Sequence, residues 1–255
     1  MKPLILATTF AVFSASTAGC ATKSDYVLPD TARKLDTEEI AQVFSDVREH
    51  YEAIDDPGLT ASILYISYGD FLANWKKGWF FRGRVTGKWY TEDDQLCVKS
   101  TTKIDGSDLI CVSIYETDGV YTAVHPDGSY QGISTLTPLG DVMSSEHLRR
   151  VFIGHTVHGS YPEKDEIVEH WEYFDEDGTI HGRTAKYGDF TAHWEIRDSG
   201  CFYSDYDESN KYDGCYYYVH DSGNTYRYHR PWSDEVGQEV LLQGNPERLG
   251  EQPDA

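Results

Sequence analysis

Apolar residues along this chain recur at two spacings, and the change from one to the other happens twice. Ile40, Val43 and Phe44, and again Leu148, Val151 and Phe152, stand three and four apart, which gives a short helix one face to bury. Each group follows polar residues suited to starting a helix. Asp36-Thr37-Glu38-Glu39 has the capping-box spacing between Asp36 and Glu39, and in Ser144-Ser145-Glu146 either serine can cap. Beyond each helix the period falls toward two. Val168, Trp171 and Tyr173 are interleaved with Glu169, His170 and Glu172 in imperfect alternation, whereas Tyr226 and Tyr228 alternate cleanly with Thr225, Arg227 and His229. Asp118-Gly119, Asp127-Gly128, Asp177-Gly178 and Ser222-Gly223 read as tight turns in which glycine supplies a positive φ. Short strands joined in chain order by such turns predict an antiparallel meander.

The same landmarks occur twice. Cys97 and Cys111 enclose thirteen residues, and so do Cys201 and Cys215. Trp89 lies eight residues before Cys97 and Trp194 seven before Cys201; Gly83 and Gly188 each stand six before their tryptophan, and Gly119 and Gly223 eight after the second cysteine. The chain is therefore expected to be mainly β, as two tandem antiparallel β-meander modules, 36–140 and 144–249, each opened by a short helix. We expect them to pack as pseudo-symmetric halves. Four cysteines allow three pairings. Duplication selects the one each copy can make alone, Cys97–Cys111 and Cys201–Cys215, a staple worth about 3 kcal/mol per module in the chain-entropy picture.

The fifth cysteine belongs to the start of the chain. Met1-Lys2, an apolar run over 4–13 and small residues leading to Ala18-Gly19-Cys20 have the layout of a signal peptide, with an apolar run too short to span a bilayer. The ending resembles a lipobox. It implies that residues 1–19 are removed, that Cys20 carries the acyl chains (palmitate among them), and that 20–35 is a tether to the bilayer. Ala21 after the cysteine resembles the outer-membrane sorting habit of Gram-negative lipoproteins, facing the periplasm. Residues 250–255 read as a loose tail.

At the Gly83…Trp89…Cys97…Cys111…Gly119 run and its second copy, Gly188…Trp194…Cys201…Cys215…Gly223, the chain resembles the domain-of-unknown-function 995 family of small exported alphaproteobacterial proteins. The likeness covers most of 37–135 and 145–245. In the first copy Tyr68-Gly69-Asp70-Phe71 replaces the second-copy hairpin Phe174-Asp175-Glu176-Asp177-Gly178-Thr179. The resemblance implies a β-rich exported module and no catalytic residues.

Charge narrows the partners. The chain has 22 basic and 43 acidic residues, a formal net charge of −21, which repels nucleic acid and anionic membrane. Aromatic residues make up 14%, including 19 tyrosines, which favours β-structure. Three groups could carry chemistry. Seven of the ten histidines fall in the second copy, and of these His155, His170, His181 and His193 are the candidate Zn or Cu ligands, although they lack ligand spacing. Asp205, Asp207, Glu208 and Asp213 form an acidic loop without the remaining positions of a Ca²⁺ loop. Tyr216-Tyr217-Tyr218 must place rings on both faces of its strand, so some ring meets solvent or the other module. With Trp171 or Trp232 these rings are the candidate platform for a glycan or protein. No hydrolase, zinc-protease, phosphate-loop or dinucleotide motif is present. The sequence thus favours a non-catalytic envelope lipoprotein that binds a protein or glycan, with no cofactor. Metal handling by the histidines and hydrolysis by an unlocated carboxylate pair are the alternatives.

Overall fold

A computed structural model describes residues 26–104, 107–163, 166–206, 213–230 and 236–251. The first module contains β1 (Arg33–Lys34), α1 (Thr37–Val43), β2 (Val47–Ala53), β3 (Leu59–Tyr65), β4 (Asp70–Lys77), β5 (Phe81–Glu92), β6 (Gln95–Ile104), β7 (Ser107–Thr117), β8 (Val120–Val124) and β9 (Tyr130–Pro138). The second contains α2 (Ser145–Phe152), β10 (Thr156–Glu163), β11 (Glu166–Phe174), β12 (Thr179–Thr184), β13 (Gly188–Ile196), β14 (Phe202–Asp205), β15 (Gly214–Ser222), β16 (Thr225–His229) and β17 (Val236–Leu242). From β2 to β9 and from β10 to β17 each strand pairs antiparallel with its chain neighbours, as a meander requires, and β1 adds to β7. The meanders also close: β2 pairs with β9 and β10 with β17, giving two eight-stranded barrels. Closure leaves no long free edge and an interior about wide enough for side chains or one small ligand.

Local chemistry sets these elements. Asp36 and Glu39 form the reciprocal capping box on α1, and Ser144, not Ser145, caps α2 through the His147 amide. Gly119, Gly128, Gly178 and Gly223 all hold positive φ in their turns. Trp89 and Trp194 do the same job in the two barrels: each donates its backbone N–H to a positive-φ glycine, Gly69 at 3.0 Å and Gly178 at 2.9 Å. Both disulfides are formed between neighbouring strands or their ends. The folded chain accordingly belongs to an oxidising, non-cytoplasmic compartment. No helix among the described residues is long and apolar enough to cross a membrane.

Each helix closes one end of its barrel. In the first, Ile40 and Phe44 are fully buried, with Phe44 edge-on to Tyr65 at 5.3 Å. In the second, Leu148 and Phe152 take those places, and Phe152 meets Phe174, Phe202, Tyr218 and Tyr226. The opposite ends, where β2, β4, β6 and β8 finish and where β10, β12, β14 and β16 finish, carry no helix among the described residues.

Two expectations are corrected. The tether does not run to residue 35: Tyr26 packs edge-on against Tyr130 at 5.0 Å, Leu35 is buried in the first core, and β1 pairs with β7. Residues 1–25, including Cys20, lie outside the described residues, as do 252–255; of the tail, Gly250 packs against the His181 ring and Glu251 pairs with Arg248. The halves are also not pseudo-symmetric. The seam joins Leu64, Ile66 and Leu72 of β3–β4 to Cys201, Tyr217 and Val219 around β14–β15, which are not equivalent strands. The imperfect alternation of β11 resolves into an inward face of Val168, His170, Glu172 and Phe174, while Trp171 and Tyr173 point outward. Two polar residues of that strand, His170 and Glu172, are thus buried beside Val168 and Phe174.

His229 is buried in the seam with neither ring nitrogen in a well-formed hydrogen bond; the Leu139 carbonyl acts on it only weakly. Burial, with Arg48 and Arg227 nearby, pushes its pKa down to about 4 from the ordinary 6.5. An unfolded chain takes up this proton below 6.5 and the native chain only near 4, so acidification across that window removes stability, by about 2–3 kcal/mol. Urea unfolding at neutral pH and near pH 4.5 should show His229→Leu losing less stability on acidification than the parent by that amount.

Candidate functional site

Both barrels are hollow toward their open ends, and the two interiors differ in kind. The first encloses a cavity of about 590 Å³ lined largely by apolar side chains such as Leu59, Ile63, Val85 and Val98. Its one deeply buried carboxyl is Glu49, which accepts a hydrogen bond from Tyr65 Oη at 3.0 Å. Burial raises its pKa, and hydrogen bonds from Ser134 and Tyr65 oppose the rise.

The second encloses about 530 Å³ and is polar at its centre. His170 and Glu172 reach in from β11 and Glu239 from β17, all buried. His170 Nε2 donates to Glu239 Oε1 at 3.3 Å, and Tyr218 Oη donates to Glu239 Oε2 at 2.9 Å. Tyr206 Oη lies 3.0 and 3.1 Å from the two oxygens of Glu172. Tyr161, Tyr216, Tyr228, Phe190 and Phe202 add ring faces and edges to the wall, and Arg230 stands in it beside Tyr216. His170 Nδ1 is buried with no partner. Such an orphan costs about 1–3 kcal/mol and is uncommon in a native interior.

Backbone register explains how the cluster forms. Gly159 on β10 lies directly between His170 and Glu239. A Cβ there would stand 2.7 Å from His170 Cε1 and 2.8 Å from Glu239 Cγ, so only glycine lets the pair meet. The corresponding residue of the first barrel is Tyr51, between Ala61 and Ser134. Likewise Val157 pairs with Glu172 where Glu49 pairs with Ile63. His170, Glu172 and Glu239 therefore replace Ala61, Ile63 and Ser134 of the other copy. The ionisable centre is where the repeat breaks.

The electrostatics follow. Burial raises Glu172, His170 pulls it back, Glu239 raises it again and the Tyr206 hydrogen bond lowers it, which together leave its pKa raised to about 7. Burial pushes His170 down, but the Glu239 hydrogen bond and the Glu172 and Glu239 carboxylates outweigh it and leave its pKa raised. Two carboxyls and one imidazole in a water-reachable pocket can hold a cation or exchange a proton.

Few of the sequence candidates meet here. The four histidines are not brought together: only His170 is inside. His155 bonds Ile153 O and Gln243 near the helix-capped end, His181 stacks on Tyr173 outside, and His193 is exposed. Among the described residues no group of three His, Cys, Asp or Glu is placed to hold a metal ion. The surface platform is not formed either. Tyr216 and Tyr218 face the cavity, Tyr217 is fully buried in the seam with its hydroxyl donating to Asp70 at 2.9 Å, and Trp171 stacks on His158 with centroids 4.6 Å apart. Trp232, Asp207 and Glu208 lie outside the described residues, and Asp213 accepts from the Tyr206 amide. Glu172, Tyr206, Arg230 and Glu239 were missed; the available signal was the every-second-residue set Val168, His170, Glu172, Phe174.

Because the folded Glu172 stays protonated to about 7 while an unfolded glutamic acid ionises near 4.5, it favours the native state less as pH rises through that window. Infrared spectroscopy should show a protonated carboxyl band that disappears near pH 7 and is missing in Glu172→Gln. In thermal unfolding, that variant should gain stability over the parent at pH 8 but not at pH 4.

The chain matches no protein family model, and no curated protein is found to be similar to it.

Proposed function

We propose that the chain is a small-molecule binding protein of the bacterial envelope, held there by an acyl chain on Cys20, and that its second barrel binds an organic cation. The binding role expected for a surface platform thus moves into a barrel interior. The exported character accords with the resemblance to the domain-of-unknown-function 995 family. The observation that carries the reading is the pair of buried carboxyls, Glu172 and Glu239, set among tyrosine rings in a cavity of about 530 Å³. Carboxylates and aromatic faces are the two groups that attract an ammonium ion, and together in a partly dry site they do so strongly. The volume suits a molecule of metabolite or drug size. A second reading rests on a different observation: with Glu172 held protonated to about 7 beside Glu239, the same pair could donate and accept a proton in hydrolysis.

Calorimetric titration with benzylamine and choline tests the first reading. Binding should be tighter at pH 8 than at pH 6, because a bound cation requires the Glu172 carboxylate. Glu239→Gln should weaken it about 10- to 100-fold, the worth of a charge-assisted contact. Saturation by neutral sugars or anions with no response to amines would overturn the reading. Hydrolysis predicts instead that chromogenic glycosides or esters turn over, and that Glu172→Gln and Glu239→Gln each abolish the turnover.

A further inference from the structure

The hairpin between β4 and β5 carries three consecutive aromatic residues at its tip. Trp79 is 93% exposed, Phe80 89% and Phe81 68%. Single exposed apolar residues are ordinary, but three adjoining rings on one projection are a patch that another phase or molecule covers. The hairpin is also longer than its counterpart. Eight residue pairs join β4 to β5 around the turn 78–80, whereas six join β12 to β13 around the equivalent turn 185–187. Two extra residues per strand carry the tip roughly 7 Å further out.

Its flanks are basic. Lys76, Lys77, Arg82 and Arg84 fall within nine positions that contain no acidic residue, in a chain of net charge −21. Lys76 and Arg82 face each other across the hairpin, and Lys77 pairs with Asp56 on the neighbouring turn. Aromatic rings bordered by cations are what an interfacial segment presents to lipid: rings at headgroup level, charges toward anionic headgroups. We infer that the β4–β5 tip inserts into the surface of an anionic bilayer. The overall negative charge does not prevent this. Its repulsion is screened over about 8–10 Å, whereas the four basic residues flank the rings directly.

The start of the chain gives an independent pointer to the same occupant. Tyr26 lies against Tyr130, where β9 begins, and that is the end of the barrel from which the β4–β5 tip projects. Six residues span at most about 20 Å, so a lipid on Cys20 attaches the chain at this end. The first barrel's apolar cavity opens there too, with Asp56, Leu59 and Lys77 in its wall. Tip, cavity mouth and lipid attachment then face one bilayer.

The test reads Trp79 alone, by subtracting the emission of Trp79→Phe from that of the parent on vesicles with brominated acyl chains. The full protein is used, so the result does not depend on what else holds it to the vesicle. On vesicles rich in phosphatidylglycerol the Trp79 component should be quenched, and Lys76→Glu with Arg82→Glu should abolish that quenching. These residues are exposed, so both variants should keep the parent's thermal unfolding. A Trp79 component that is unquenched on every vesicle and as open to iodide as in solution overturns the inference, and leaves a protein as the tip's partner. Equal quenching on phosphatidylcholine overturns the requirement for anionic lipid.

Discussion

Closure of the two meanders into eight-stranded rings is the constraint on which everything else depends. A ring of this size satisfies every ladder hydrogen bond and leaves an interior that side chains from eight strands must share. Several large rings are accommodated by a glycine on a neighbouring strand. Phe190 lies over Gly182, Tyr228 over Gly237, Trp75 over Gly83 and Tyr51 over Gly132, each with a ring atom where a Cβ would stand. Gly159 is the same device applied to His170 and Glu239. The packing rule that fills both barrels therefore also brings an imidazole and a carboxylate together in one of them.

Duplication makes the divergence readable. The helix caps, the tryptophans on Gly69 and Gly178, and the disulfides are retained in both copies, since each secures ring closure or one hairpin. What changes is the layer above the helix plug. The first barrel keeps Ala61, Ile63 and Ser134 there with a single Glu49 below, and the second has His170, Glu172 and Glu239. Identical scaffolds with an apolar and an ionisable interior amount to two sites of different chemistry on one chain.

Much of the scaffold was legible in the sequence, because it is written in local signals. Asp36 with Glu39, the Asp-Gly turns and the equal cysteine spacing each act within a few residues of themselves. Closure was not legible, because the contact of β2 with β9 and of β10 with β17 spans the whole module and has no local mark. The site was hidden for a related reason. The alternation on β11 is imperfect in hydrophobicity, with Trp171 and Tyr173 on one face and His170 and Glu172 on the other, so the pattern does not mark which face turns inward. Tyr217 was half legible: adjoining tyrosines on a strand must divide between two faces, but nothing local says that one face meets the other barrel. The register of Lys76 opposite Arg82, which puts four basic residues around one aromatic tip, likewise emerges only once the hairpin is built.

A buried ionisable cluster also has to be weighed against what could replace it. An apolar set of the same volume would hold the barrel at least as well, since the desolvation of buried charges commonly matches or exceeds their mutual attraction. The first barrel demonstrates the point within this chain, folding the same ring around Ala61 and Ile63. Stability therefore gives no reason for His170, Glu172 and Glu239, and the orphaned Nδ1 of His170 and the raised Glu172 are costs that packing alone would have removed. A wall of tyrosine hydroxyls partly offsets those costs but leaves the cluster facing open volume. On the proposed reading the compensation lies in binding, because an organic cation beside Glu172 and Glu239 would supply the charge partner that the raised Glu172 carboxyl lacks among its tyrosine neighbours.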